Sequence, residues 1–205
     1  MGTWLGMTKS GRFAALTNYR DPSEFGVVKT SRGEIVKNFL TESTSPLEFI
    51  IQLNEKKDHY NGFNIIIGSA NQLYHYNNVD CQIVEVPKGT HGLSNHLLNT
   101  PWPKVTKGKK ALHEYVMKHQ ILDSEKLFSI LTNSELAEDI DLPNTGVELE
   151  LERQLSPLFI RTPNYGTRCS TVVLIDRHNQ ATFAERTYEN GQVLLENYYS
   201  FQIEE

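Results

Sequence analysis

The chain has 205 residues, 39% of them hydrophobic and 22% charged, with a formal net charge of -5, which fits a folded globular protein able to bury a sizeable core in one domain. That balance gives no basic footprint for nucleic acid, and no apolar run approaches the ~20 residues of a membrane-spanning helix, so no transmembrane segment is expected. Two cysteines without a CxxC pair, and an amino end with no basic region leading into an apolar stretch, point to reduced thiols in a cytoplasmic protein.

In chain order, strands are expected over 1–8 and 12–18, joined by the turn Lys9-Ser10-Gly11. Asp21-Pro22-Ser23 breaks the second strand. Ser31, with Glu34 three residues on, predicts a capping box ahead of a helical stripe of Ile35, Val36, Phe39 and Leu40. Ser45-Pro46 predicts the start of a second helix with Leu47, Ile50, Ile51 and Leu53 inward. A three-strand meander is expected over 63–67, 73–76 and 82–86, with turns at Asn71 and Asn77-Asn78. The stretch 89–95 is too glycine-rich for a plain strand and reads as a shaped edge or loop.

Pro101 and Pro103 bracket Trp102 and precede a helix to about Gln120, with Ala111, Leu112, Tyr115 and Val116 inward. Lys104, Lys107, Lys109 and Lys110 spread around it as a solvated face. A further helix, capped by Asp123 or Ser124, carries Leu127, Phe128, Ile130 and Leu131. The acid-rich run 135–152 lacks the ligand spacing and central glycine of an EF-hand and is expected as a solvated, mobile loop. Strands follow over 159–161, 171–176, 182–188 and 193–201, with Asn190-Gly191 the strongest hairpin signal. Strands at both ends, with helices between and among them, argue for a single α+β domain over 1–205 built on antiparallel sheets.

No GxSxG, HExxH, Walker-type or GxGxxG pattern occurs. Polar clusters instead stand at the mouths of apolar runs, over 16–20, 60–64, 92–95 and 165–171, and one pocket built from all four is the expectation. Asn18, Asn95 and Arg168 each fall at or near a strand end. An asparagine suits an oxyanion hole, and an arginine offers a planar cationic fork to a carboxylate or thiolate. The same residue types also serve turn and strand-end hydrogen bonding, and spacing alone favours that role. Asn61, Asn64 and Tyr165 join them as ligand-binding candidates, with His91 and His96 flanking the turn between them. No nearby Cys or acid accompanies those histidines, so no metal site is expected.

Gly2-Thr3-Trp4-Leu5-Gly6, Ala15-Leu16-Thr17-Asn18-Tyr19-Arg20, Ser31-Arg32-Gly33, Tyr60-Asn61-Gly62-Phe63-Asn64, Gly92-Leu93-Ser94-Asn95, Asn99-Thr100-Pro101-Trp102, Tyr165-Gly166-Thr167-Arg168 and Glu185-Arg186-Thr187 form an ordered motif series over nearly the whole chain. The series resembles that of the NRDE family, which includes the transport and Golgi organisation proteins of animals. That family in turn resembles the cysteine branch of the N-terminal nucleophile hydrolases, which implies an αββα sandwich of two antiparallel sheets flanked by helices. In that branch an amino-terminal Cys supplies both the thiol and, through its free amine, the base. The resemblance implies that Asn18 matches the oxyanion-hole asparagine, Asn95 the asparagine that orients the nucleophile, and Arg168 the arginine beside the thiolate.

Members of the family open with Met-Cys and an Asn-Arg-Asp-Glu motif, and this sequence carries neither. The expectation is therefore an amino-terminally incomplete chain, lacking its first strands and its nucleophile. Neither Cys81 nor Cys169 bears a free amine, so no N-terminal nucleophile activity is expected as it stands. The resemblance implies a binding or trafficking factor for haem or for lipid or acyl-CoA, with amidohydrolase activity in a full-length parent as the alternative. Haem would enter as cargo rather than as a resident cofactor, with His75, His91 or His96 as candidate ligands.

Overall fold

The computed structural model describes residues 2–24 and 26–204, so Met1, assigned above to the first strand, lies outside them. Among the described residues the fold is α+β, as expected, with a five-stranded and a three-stranded antiparallel sheet and five α-helices. The chain divides into two compact units. The first comprises Met1–Gly89, Leu93–Leu98 and Glu204–Glu205, and the second Thr90–Gly92 and Asn99–Ile203.

The first unit holds β1 (Leu5–Met7), β2 (Phe13–Asn18), β3 (Phe63–Ser69), β4 (Gln72–Asn77) and β5 (Ile83–Glu85), each antiparallel to the next. Gly11, at φ 77, supplies the left-handed backbone that the first turn needs. Gly68 is required more strictly, since at φ 150 an added Cβ would fall 2.0 Å from the Gln72 carbonyl oxygen. Helices α1 (Gly33–Thr41) and α2 (Pro46–Glu55) lie on the face that presents Ala14, Leu16, Phe63, Ile65, Ile67 and Tyr76, and together they close the principal core. Each large apolar side chain fully buried there contributes roughly 1.5–3 kcal/mol. Phe39 and Phe49 meet edge to face at 5.2 Å, while the Arg12 guanidinium lies 4.1 Å over Phe39 and donates to its carbonyl.

Two helix expectations need correction here. The Ser31–Glu34 capping box does not form: Arg32 is the N-cap, in helical geometry and without a side-chain cap bond. The Glu34 carboxylate instead accepts the Tyr60 hydroxyl at 2.8 Å, and Arg32 donates to the Gly62 carbonyl at 2.8 Å. In α2 the box between Ser45 and Glu48 does form, but Leu47 and Ile51 are exposed and Phe49 is buried with Ile50 and Leu53. Positions 46, 49, 50 and 53 make one stripe at helical spacing, and Leu47 and Ile51 fall beside it.

The second unit holds α3 (Pro103–Lys118), α4 (Ser124–Leu131), α5 (Leu149–Leu155), β6 (Cys169–Ile175), β7 (Gln180–Glu189) and β8 (Gln192–Gln202), with strand order β6-β7-β8. Asp123 caps α4 by accepting from the Glu125 backbone N–H at 2.8 Å. Leu127 and Phe128 of α4 bury against Val172 and Ala184, with Leu112 and Tyr115 half-buried at the margin. Val116, expected inward, is exposed, and in α3 only Val105 is fully buried. Asn190 and Gly191 both take positive φ, 50 and 74, which is the two-residue hairpin geometry their identity predicts.

The acid-rich run needs a further correction. It contains a 3-10 turn at Asp139–Asp141 and the helix α5. Arg153 clamps Asp139 at 2.7 Å and Glu150 at 3.2 Å. The buried Glu152 carboxylate accepts from the Thr145 backbone N–H at 3.1 Å and from its hydroxyl. Asp139, Glu150 and Glu152 are thus partnered within a segment that is otherwise largely exposed, as its composition reads. The strand expected over 159–161 reduces to a bridge between Arg161 and Gly166, with Phe159 buried.

Candidate functional site

In the first unit, the sheet face opposite α1 and α2 carries a buried polar hub. Asn64, fully buried, accepts on one side-chain oxygen from Asn77 Nδ2 at 2.8 Å and lies 3.0 Å from His75 Nε2, and its amide reaches Thr17 Oγ1 at 3.4 Å. Burial lowers the His75 pKa, with Asp80 acting weakly in the opposite direction, so the ring is neutral near pH 7. Asn77 uses its own side-chain oxygen on the backbone N–H groups of Val79 and Asp80. These amides hold the turn after β4 and the centre of the sheet.

The register pairs Thr17 with Asn64 and Asn18 with Phe63, so strand alternation turns Asn18 and Asn64 to opposite faces. Asn18 instead meets Asn95, whose Nδ2 donates to the Asn18 carbonyl at 3.0 Å, while the Asn95 carbonyl accepts from the Arg20 N–H at 2.7 Å and Ser94 O accepts from Thr17 Oγ1 at 2.7 Å. The loop 93–98 is thus strapped along the end of β2. The side-chain oxygens of Asn18 and of Asn61 are buried without a partner, although Asn61 donates to the Val27 carbonyl at 3.1 Å. His96 stacks on Tyr19 at 5.1 Å between ring centres.

In the second unit, residues 160–168 and 188–191 enclose a cavity of about 450 Å³. The backbone of Tyr188 donates to the Arg168 carbonyl at 2.8 Å and Arg168 Nη1 donates to the Tyr188 carbonyl at 3.2 Å, which fixes the guanidinium at the end of β7. On the other side Arg161 Nη2 donates to the Gly191 carbonyl at 2.8 Å, with its guanidinium 5.1 Å from the Phe159 ring centre. The tight turn 162–165, closed by the Thr162 hydroxyl on the backbone of Tyr165, presents the exposed Tyr165. Tyr188 is only 3% exposed and edges onto Phe159, yet its hydroxyl has no hydrogen-bond partner. A buried hydroxyl without a partner costs of the order of 1–3 kcal/mol. Glu189 also lines the cavity, so the wall carries two cations and one anion.

The expected site residues are therefore distributed: Asn18, Asn61, Asn64, Asn95 and His96 lie in the first unit, and His91, Tyr165 and Arg168 in the second. His91 Nδ1 lies 3.0 Å from Asn99 Nδ2, and Asn99 in turn receives Lys109 at 2.8 Å. Burial raises the Cys169 thiol pKa, Glu185 adds to that, and Arg168 opposes both, so its arginine neighbour does not make it a thiolate. Cys81 lies 2.9 Å from the Lys57 ammonium. Among the described residues, no three His, Cys, Asp or Glu side chains cluster as a metal site, and no helix is long and apolar enough to cross a membrane.

A family model described as Transport and Golgi organisation 2 matches residues 1–190. The chain belongs to this family. Among its relatives, the human Transport and Golgi organization protein 2 homolog is 34% identical over 199 residues, 91% of this chain and 72% of the relative. The bovine homolog is 34% identical over 203 residues and the Drosophila melanogaster protein of the same name 29% over 211, each with the same two coverages. Sequence reading missed Tyr188 and Arg161 as walls of the cavity. The available signal was the Asn190-Gly191 hairpin, which returns the chain two residues after Tyr188 and so brings the end of β7 to the 160–168 loop.

Proposed function

We propose that this chain binds and moves a small anionic ligand, in keeping with the transport named for its relatives, and that haem or an acyl-CoA-type lipid is the cargo. The observation that carries the proposal is the unpartnered, buried Tyr188 hydroxyl in the wall of a cavity that also holds Arg161 and Arg168. A carboxylate or phosphate there accepts from the hydroxyl and from a guanidinium fork whose backbone bonds already fix its direction. For haem, the propionates take that position. His91, which belongs to the same unit as the cavity, is the histidine to be tested as iron ligand, although it lies beside Asn99. Neither Cys81 nor Cys169 bears the free amine of an N-terminal nucleophile, so amide hydrolysis draws no support from the described residues.

The test is titration with haemin, followed by absorbance, and with a long-chain acyl-CoA, followed by calorimetry, on the wild type and on Arg168→Ala, Tyr188→Phe and His91→Ala. Loss of one charge-assisted hydrogen bond at Arg168 weakens binding by roughly 10-fold or more. Tyr188→Phe, which leaves the packing intact, weakens it by a smaller factor. If neither ligand binds, or if both bind equally well to Arg168→Ala, the proposal fails.

A further inference from the structure

Strand β8 stands at the open edge of the three-stranded sheet, with β7 on its other side. Val193, Leu194, Leu195, Tyr198 and Tyr199 are each more than half exposed along its eleven residues, a length of roughly 35 Å at ~3.4 Å per residue. Monomeric sheets blunt such edges with lysine, proline, bulges or short strands. Here the strand contains no lysine or proline, and the register shift falls only at its start, opposite Thr187 and Tyr188. Its one ionised residue, Glu196, is already paired with Arg186.

We infer that β8 is the seam of a homodimer, in which it pairs antiparallel with β8 of a second copy about a twofold axis at Asn197. The sequence of the strand matches itself about that point. Gln192 opposes Gln202, Val193 opposes Phe201, Leu195 opposes Tyr199, and Glu196 meets Tyr198 rather than another Glu196. Amide therefore faces amide, Val193 and Leu195 face aromatics, Leu194 faces the small Ser200, and the single anion avoids its own image, as a self-complementary isologous contact requires. Leu195, Tyr199 and Phe201 share their face with Thr187, Phe183 and Ala181, and the opposite face of the sheet carries the Val172 and Ala184 that α4 covers. Pairing continues that apolar face across a six-stranded sheet and joins the edge N–H and C=O groups of both copies.

Light scattering across a dilution series tests the seam. The wild type is expected at twice the monomer mass, and Leu195→Lys and Tyr199→Lys, both at exposed sites, at the monomer mass with an unchanged circular dichroism spectrum. Asn197→Cys, in a Cys81→Ser, Cys169→Ser background, is expected to give a covalent dimer with a short bis-maleimide, whereas Ile121→Cys, at a site 89% exposed elsewhere, gives none. A monomer at every concentration overturns the inference. So does a dimer that survives Leu195→Lys, an open-ended assembly in place of a closed pair, or a dimer in which the Asn197→Cys variant does not cross-link.

Discussion

Among the described residues, the first unit closes its five strands under α1 and α2 with a cluster of thirteen buried hydrophobic residues, whereas in the second unit α4 covers three strands with a cluster of four. The first unit also buries polar groups: Asn64 bonds both His75 and Asn77 in the sheet, while the side-chain oxygens of Asn18 and Asn61 stay without a partner. The second leaves a tyrosine hydroxyl unpaired in a cavity wall and an apolar strand in solvent. Unpartnered buried oxygens thus occur in both units, and the difference lies in the size of the core and in the apolar edge strand of the second.

The largest effect tests the difference in cores. Phe39→Ala removes a fully buried ring that touches Phe49 and the Arg12 guanidinium, and is expected to cost ~3–5 kcal/mol in urea unfolding. Leu127→Ala, in the thinner cluster, falls near ~2 kcal/mol, the lower end for such truncations. Equal losses at the two sites would erase the contrast. Asn64→Leu strands the donors of Asn77 and His75, at ~1–3 kcal/mol for each group left unpaired; a neutral result would mean that the hub does not hold the sheet.

The smallest effect is confined to acid. His75 has a folded pKa below its unfolded value of 6.5 because burial disfavours the charged ring. The neutral ring's contribution is therefore fully present above pH 6.5 and is lost as the pH falls from there towards the lower folded value. His75→Gln, which keeps a donor for Asn64, flattens that part of the stability profile. A profile identical to the wild type's would remove His75 as the cause.

Much of the fold could be read from the sequence because the signals were local. Ser45-Pro46 with Glu48 states a helix start, Asn190-Gly191 a hairpin, and the alternation in 63–67 and 73–76 a meander. The failures occurred where a distant partner displaced the local one. Glu34 left Ser31 for the Tyr60 hydroxyl, and Asp139, Glu150 and Glu152 are partnered through Arg153 and Thr145. For the site, the Asn95 side chain meets the backbone carbonyl of Asn18, which is the strand-end bonding that the same residue types equally allow. Asn64 was read as a pocket residue from its neighbours in sequence, but strand alternation buries it in a network that single-residue chemistry does not reveal.

Arg186 joins parts of the second unit that are far apart in sequence. Its guanidinium lies 4.1 Å over the Phe128 ring and pairs with Glu125 beside it on α4 and with Glu196 on β8. A guanidinium keeps its proton at any physiological pH, so Arg186 itself does not change charge where the His75 ring does. Both of its carboxylate partners are solvent-exposed, however, and such pairs weaken as dissolved ions screen them. The link from β8 through Arg186 to α4 thus responds to ionic strength, whereas the ladder that holds β8 to β7 does not depend on it.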